Sequence, residues 1–314
     1  MARYAARRFL LAVPALLGLS FLVFVLATVA PGDPAEVLAA KTAVSGQATE
    51  EEIALAQREL KLDRPFLVQY GSWLGGAVRG DLGMSFSLNK PVTGELRQAF
   101  PATLQLAATA FLLSLLLAFP LGIIAALFHR RFLDHLLRGS SLVGASIPGF
   151  FLAYVLVFAF AVRFHLLPVA GNEGATSIIL PALVVAIGPA AVVSRLLRAS
   201  LLEVMGDGYI ATARGKGLRE IAVVVDHAVR NAAVPVVTVL GGVVAGLLEG
   251  SVIAETIFAW PGLGRLTLRA LEQQDYPMVL GAVTYAAVVF VLMNLLVDLS
   301  YSVVNPRVRV GERR

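Results

Sequence analysis

Lys216 stands between Gly215 and Gly217 in the run Asp207-Gly-Tyr-Ile-Ala-Thr-Ala-Arg-Gly-Lys-Gly217, and a lysine flanked by glycines invites a test for phosphate binding. A phosphate-cradling loop needs an earlier glycine five positions before its Gly-Lys pair and a Ser or Thr directly after it, so that backbone amides and a hydroxyl converge on the phosphates. Neither condition holds here, and this chain has no such nucleotide site. Other reactive constellations fail as well. No His-Glu-x-x-His or Gly-x-Ser-x-Gly occurs, His129, His135, His165 and His227 are scattered, and with no cysteine there is no thiolate metal ligand, nucleophile or disulfide. Catalytic residues, a metal site and a bound cofactor are therefore not expected. Two acids remain conspicuous: Glu249 and Asp298 fall beside or within apolar sequence, where a carboxylate is expensive unless it is functional or paired. Glu249 fits either a polar lining position between helices or a partner for a neighbouring arginine. Asp298 fits a structural partner such as Arg307 better.

The elements that must position these groups are set by hydrophobicity. Six stretches carry no Asp, Glu, Lys or Arg: Phe9–Ala30, Thr103–Phe128, Gly139–Val162, Gly174–Ser194, Asn231–Leu248 and Tyr276–Val297. Each is long enough to cross a hydrocarbon core of about 30 Å as a helix, and lipid offers the backbone no hydrogen-bond partners outside the helix itself. With 58% hydrophobic and 15% charged residues, the chain reads as an all-α polytopic membrane protein of six transmembrane helices. The net charge of +5 does not indicate nucleic acid, because its distribution is a topology signal. If the termini are cytoplasmic, that side holds Arg3, Arg7 and Arg8, the turn with Arg130, Arg131 and Arg138, the loop from Arg195 to Arg230, and the tail from Arg307 to Arg314. Cations then outnumber acids on the inner side and not on the outer, which is the orientation the insertion machinery favours. The first run is too long for a cleaved leader and lacks a convincing cleavage site, so it is expected to stay as a span.

Four segments follow: a cytoplasmic N-terminus with the first span over 1–30, an external loop subdomain over 31–100, a transmembrane core over 101–305 containing a cytoplasmic loop at 199–235, and a cytoplasmic tail over 306–314. In the external subdomain, Thr49 with Glu52 three residues later predicts a capping box opening a helix. A short amphipathic piece is expected from Pro65 through Trp73, and Val92–Phe100 reads as an interfacial lead-in to the second span. Pro148 and Pro189 permit kinks and are candidates for lining the path, while Pro235 is expected to open the fifth span, where its missing N–H costs nothing. Gly241, Gly242, Gly246 and Gly250 form a small-residue packing face.

The cytoplasmic loop carries more order than a solvated basic segment needs. Asp207 near the positive end of a short helix, and Arg214 with Lys216 near its negative end, suit the helix dipole, and Gly217 can terminate it with a positive φ. Such a helix would be a rigid knob beneath the bundle. The stretch Tyr209-Ile-Ala-Thr-Ala-Arg-Gly-Lys-Gly-Leu218, followed by His227-Ala-Val-Arg-Asn-Ala-Ala-Val-Pro235, resembles the signature loop of permease subunits in bacterial ABC importers, in the dipeptide, oligopeptide and nickel branch. Glu255-Thr-Ile-Phe-Ala-Trp-Pro-Gly-Leu-Gly264, Asp275-Tyr-Pro277, Asn294-Leu-Leu-Val-Asp298, Asn305-Pro-Arg307 and the run ending Pro31-Gly-Asp-Pro34 extend the similarity along the chain.

The resemblance implies an ATP-driven importer in which this chain forms the translocation path and Asp207, Tyr209, Ala211, Thr212, Ala213, Arg214, Gly215, Lys216 and Gly217 couple it to cytoplasmic ATPase subunits. The general importer pattern has Glu-Ala-Ala where Ala211, Thr212 and Ala213 stand, so a glutamate salt bridge is not expected there. Implied partners are a second, distinct permease, two ATP-binding subunits, an extracytoplasmic solute-binding protein and membrane lipid, in a bacterial inner membrane with both termini cytoplasmic. Short peptides are the implied cargo, with nickel or another small solute as the alternative. An ion-coupled secondary transporter is the rival class; it calls for inverted repeats, and the two halves of the chain show no convincing repeat.

Overall fold

The computed structural model describes residues 2–29, 33–43 and 48–304, and among these the backbone is helical apart from turns, with one isolated bridge between Met84 and Pro91. Five apolar helices have the length to cross a bilayer: Leu10–Val29 within α1 (Ala2–Val29), α5 (Val92–Leu127), α8 (Ile179–Val204), the stretch Glu220–Leu248 that enters α11 (Val229–Ile257), and Tyr276–Val297 within α13 (Tyr276–Val304). The expected span over 139–162 is not one straight rod. It is a bent pair, α6 (Phe132–Ser146) and a second helix over Gly149–Arg163, meeting at 109°. Pro148 is the cause. Its ring disfavours helical backbone at the preceding residue, and Ile147 is extended with ψ 125° before α7 (Gly149–Leu156) begins. The chain after α7 widens into a π-helical stretch, Val157–Arg163.

One further expectation needs correction. Pro235 lies inside α11, which opens at Val229 and is preceded by the three-residue α10 (Glu220–Ala222) and a π-helical stretch over Val223–Ala228. Val92–Phe100 forms the first turns of α5, continuous with the second span.

The chain divides into two compact units, 1–102 with 261–296, and 103–260 with 297–314. In the first, α2 (Pro34–Thr42) starts on Asp33, whose Oδ1 accepts from Ala35 N at 2.8 Å, and pairs with α3 (Glu50–Glu59) through buried Ala35, Ala39 and Ala56. The capping box is present: Glu52 N donates to Thr49 Oγ1, and Glu52 Oε2 accepts from Thr49 N at 2.8 Å. The piece expected over Pro65–Trp73 is α4 (Phe66–Val78), which leans on α1 through Phe66, Tyr70 and Trp73 against Phe21 and Phe24, with ring centroids between 5.1 and 5.9 Å apart. Such edge-on aromatic contacts add specificity to burial. A second core joins the start of α5 to α12 (Leu263–Glu272) and α13 through Val92, Leu96, Leu263, Ala270, Met278 and Ala282. Gly281 makes that approach possible, since a Cβ there would stand 2.5 Å from Val92 Cγ1.

In the second unit α8 is the most enclosed element, packed by α6 and α11, and Val193, Leu197 and Leu201 are fully buried. Gly122 of α5 sits where a Cβ would meet Ser194 O at 2.9 Å. Of the four glycines in α11, Gly241 abuts Val297, whereas Gly242 and Gly246 face open space.

Candidate functional site

Between α8 and α11 the chain turns through Met205–Asp207 and forms α9 (Gly208–Gly215), with Asp207 as its N-cap residue and Lys216 as its C-cap. Asp207 is extended, as a cap must be, yet its side chain makes no capping bond, so its contribution is its charge beside the helix's positive end. Gly217 follows with φ +79°, the left-handed backbone that ends a helix most readily with glycine. The helix predicted around Tyr209–Gly217 thus stands nearly where its signals place it.

What fixes α9 is its inward edge. Ile210 and Ala213, three residues apart and so on one face, enter the same core as Leu197, Leu201, Val223, Val224, Ala228 and Ala232. Burying Ile210 completely is worth about 1.5–3 kcal/mol. Two side-chain ties add direction. Asn231 Nδ2 donates to Tyr209 Oη at 2.7 Å, and Arg214 forks onto Glu220, with Nε to Oε2 at 3.0 Å and Nη2 to Oε1 at 2.6 Å. The opposite face, with Asp207, Tyr209, Ala211, Thr212, Arg214, Gly215, Lys216 and Gly217, is exposed. A short helix clamped on one side and bare on the other can receive a partner protein and carry its push into the start of α11. Arg214, expected as a docking cation, is engaged within its own chain.

Of the translocation-path candidates, Pro148 and Pro189 have described side chains. Pro148 marks the bend between α6 and α7, and Pro189 lies inside α8. The side chains of Glu249 and Asp298 lie outside the described residues. The first unit holds a cavity of about 930 Å³ bounded by Phe24, Leu55, Trp73, Phe86 and Tyr276.

Three buried acids escape sequence reasoning. Asp134, 1% exposed, receives Arg198 as a fork, with Nε and Nη2 each 2.7 Å from a carboxylate oxygen, and also accepts from Arg130 N at 3.0 Å. The pair ties the start of α6 to α8, with His129 Nδ1 3.1 Å from Arg198 Nη2. Glu255, fully buried near the end of α11, accepts from Thr103 Oγ1 at 2.7 Å. Asp275, also fully buried, precedes α13 and gathers donors from Ser85, Phe86 and Ser87. Burial works to raise its pKa, but the hydroxyls of Ser85 and Ser87 with the amides of Ser87 and Phe86 outweigh it and hold the carboxyl below its usual range. Glu255 and Asp275 stand in the runs Glu255-Thr-Ile and Asp275-Tyr-Pro, which do not name their partners, and Asp134 carries no such signal in the sequence.

Comparison with known proteins bears on the whole chain. Residues 118–310 match the family model described as binding-protein-dependent transport system inner membrane component, and residues 1–107 match the corresponding N-terminal model. The dipeptide transport system permease protein DppB of Escherichia coli (strain K12) is 37% identical over 340 aligned positions, covering 98% of this chain and 99% of that protein. The glutathione transport system permease protein GsiC of the same strain is 37% identical over 309 positions, with coverages of 98% and 99%. Among solved structures, a chain of the MetNI methionine ABC transporter in inward-facing conformations superposes with a TM-score of 0.57 at 18% identity, over 67% of this chain and 96% of that one, a likeness of fold.

Proposed function

The chain belongs to the binding-protein-dependent transport system inner membrane components, making it a permease subunit of an ABC importer, and on that premise we propose that it carries short peptides inward. Two relatives of full-length similarity are named for a dipeptide and for glutathione, itself a tripeptide, and this supports peptides over nickel as cargo. Selectivity in a binding-protein-dependent system rests largely with the binding protein, so the permease needs a passage tolerant of side-chain variety.

The observation that carries the mechanism is α9: apolar on its buried edge, tied twice to its own chain, and bare on the face that points away. In this reading the bare face docks on a separate ATPase subunit, hydrolysis belongs to that partner, and closure of two such ATPases displaces α9 together with the start of α11. A second, distinct permease completes the passage, and the solute-binding protein delivers cargo at the opposite surface. Both termini and α9 then lie on the cytoplasmic side, consistent with the cation bias of the loops. Transport follows from two packed arrangements of the bundle, of which nucleotide favours one.

The test is reconstitution of the whole assembly in vesicles with labelled di- and tripeptides. Uptake should require the binding protein and an intact nucleotide site on the ATPases, and should persist when the proton gradient is collapsed. Uptake by this chain alone against a gradient, or saturable nickel uptake without peptide competition, would overturn the reading.

A further inference from the structure

The cavity of about 930 Å³ in the first unit is walled by α2, α3, α4, the turn over 84–90 and the facing ends of α1 and α13. Its floor is apolar. Phe24 near the end of α1 and Leu280 near the start of α13 share one buried cluster, and Trp73 of α4 packs on it with its ring 5.9 Å from that of Phe24. The Trp73 indole N–H is enclosed and meets no acceptor among the described residues, a standing cost that an entering carbonyl would relieve.

The walls are fixed from behind. Lys61 turns the chain between α3 and α4 with φ +57°, and the turn is held by Leu62 N donating to Gln57 O at 2.9 Å and by Gln69 Nε2 donating to Leu62 O at 3.1 Å and Arg64 O at 2.8 Å. On the other side Ser85, Phe86 and Ser87 supply four hydrogen bonds to Asp275, and Met278 N adds a fifth donor at 3.2 Å. The rim carries charge of both signs. Lys41 donates to Gln273 O at 2.8 Å and Glu52 is engaged in its capping box, whereas Glu59 and Lys61 are exposed and form no ion pair among the described residues.

A free peptide presents the same groups whatever its sequence: an ammonium, a carboxylate and amide carbonyls. Only its side chains vary. Unpaired charges of opposite sign at the rim suit the two termini, and a non-directional apolar floor accepts any aliphatic or aromatic side chain. The volume falls within the roughly 300–1,000 Å³ of sites that enclose small molecules. An acyl chain of a lipid would fill the floor but leave Glu59, Lys61 and the indole N–H unmatched.

We propose that this cavity is a transit site for short peptides, holding the ammonium toward Glu59, the carboxylate toward Lys61 and one side chain against Phe24, Trp73 and Leu280. This rests on the peptide-import reading and on the orientation in which α1 ends and α13 begins outside. The walls select for free termini and length, and the floor leaves sequence open.

The experiment uses the purified full-length chain in nanodiscs and the complete transporter in vesicles. The chain has two tryptophans, Trp73 and Trp260, and the probe is the non-aromatic tripeptide Ala-Leu-Ala. Its addition should change the emission of the chain saturably, and Trp73→Phe should abolish the change. Acetylating and amidating the tripeptide removes both terminal charges and should weaken binding about tenfold. In the complete transporter, Lys61→Glu, which repels the carboxylate, and Ser72→Phe, which narrows the cavity from an exposed lining position, should each lower Ala-Leu-Ala uptake about fivefold. An emission that ignores Ala-Leu-Ala but follows the nanodisc lipid would make the cavity a lipid site and overturn the proposal, as would wild-type uptake in both variants. A parent transporter that takes up no Ala-Leu-Ala would instead defeat the peptide reading, and the transit site with it.

Discussion

Exchanging the charges of Arg214 and Glu220 separates two roles that α9 could assign to its cations. The fork between them spans 2.6 and 3.0 Å, but the side chains are 41% and 48% exposed, so water screens the pair and its worth is about 1 kcal/mol at most. Reversing one member loses that and sets like charges about 4 Å apart, a further penalty of about 1 kcal/mol in water. Together these make about 2 kcal/mol, or roughly thirtyfold in the population of α9 held in its coupled pose. Arg214→Glu or Glu220→Arg alone should therefore depress peptide uptake per ATP hydrolysed by about one order of magnitude, with the Tyr209–Asn231 tie and buried Ile210 limiting the damage. The exchanged pair, Arg214→Glu with Glu220→Arg, should recover to within about threefold of the parent, since an exposed pair depends little on its polarity. The assay is simultaneous measurement of hydrolysis and uptake in vesicles holding the assembled transporter. If the exchanged pair is as defective as Arg214→Glu alone, Arg214 serves an acid on the ATPase and the intrachain strut has been misassigned.

Gly281→Ala should lower the thermal midpoint of the purified protein by the equivalent of about 1–3 kcal/mol, because the new methyl falls 2.5 Å from buried Val92 Cγ1; pairing it with Val92→Ala should recover much of the loss. Arg198→Leu leaves Asp134 buried without its fork and should cost about 3–5 kcal/mol, whereas an apolar pair at both positions should cost far less, as chemical denaturation can show. Asp275 is held ionised below the usual carboxylate range, so its stabilisation is present above the unfolded-state pKa near 3.9 and is lost only as pH falls through the lower folded value. Proteolytic protection of the 84–90 turn should accordingly be flat from pH 7 to pH 5, and a loss centred near pH 6 would contradict the assignment.

Local signals in the sequence were reliable where the physics is local. Thr49 with Glu52, and Asp207 through Gly217, each define a helix end with atoms a few residues apart, and both ends lie where those atoms put them. The charge-free runs reported how much of the chain belongs in hydrocarbon, a property that adds residue by residue, but not the direction in which it travels there. Hence the run 139–162 was legible as membrane segment and illegible as a bend, although Pro148, which makes the bend, was visible. Pro235 failed in the opposite sense: with π-helical Val223–Ala228 leading into α11, helical structure extends past the charged residues that seemed to close the loop.

The acids show why candidate sites are harder to read than folds. An intramembrane carboxylate draws attention through sequence context, and Glu249 and Asp298 were chosen on that basis. Among the described residues the enclosed carboxylates are Asp134, Glu255 and Asp275, each joined to a segment 64, 152 or up to 190 positions away. Hydropathy cannot anticipate these, because the partner lowers the cost of burial only after the chain has folded. Such a group also couples two segments more stiffly than apolar packing does: a methyl can slide along a groove, whereas a forked or five-donor carboxylate has one satisfied geometry and leaves buried charge unpaired in any other. On the proposed reading, in which the bundle passes between two packed arrangements, these carboxylates would belong to pieces that move as wholes. The compliance would then fall where regular α-helical hydrogen bonding is broken or shifted, at Pro148 and along the π-helical stretches Val157–Arg163 and Val223–Ala228.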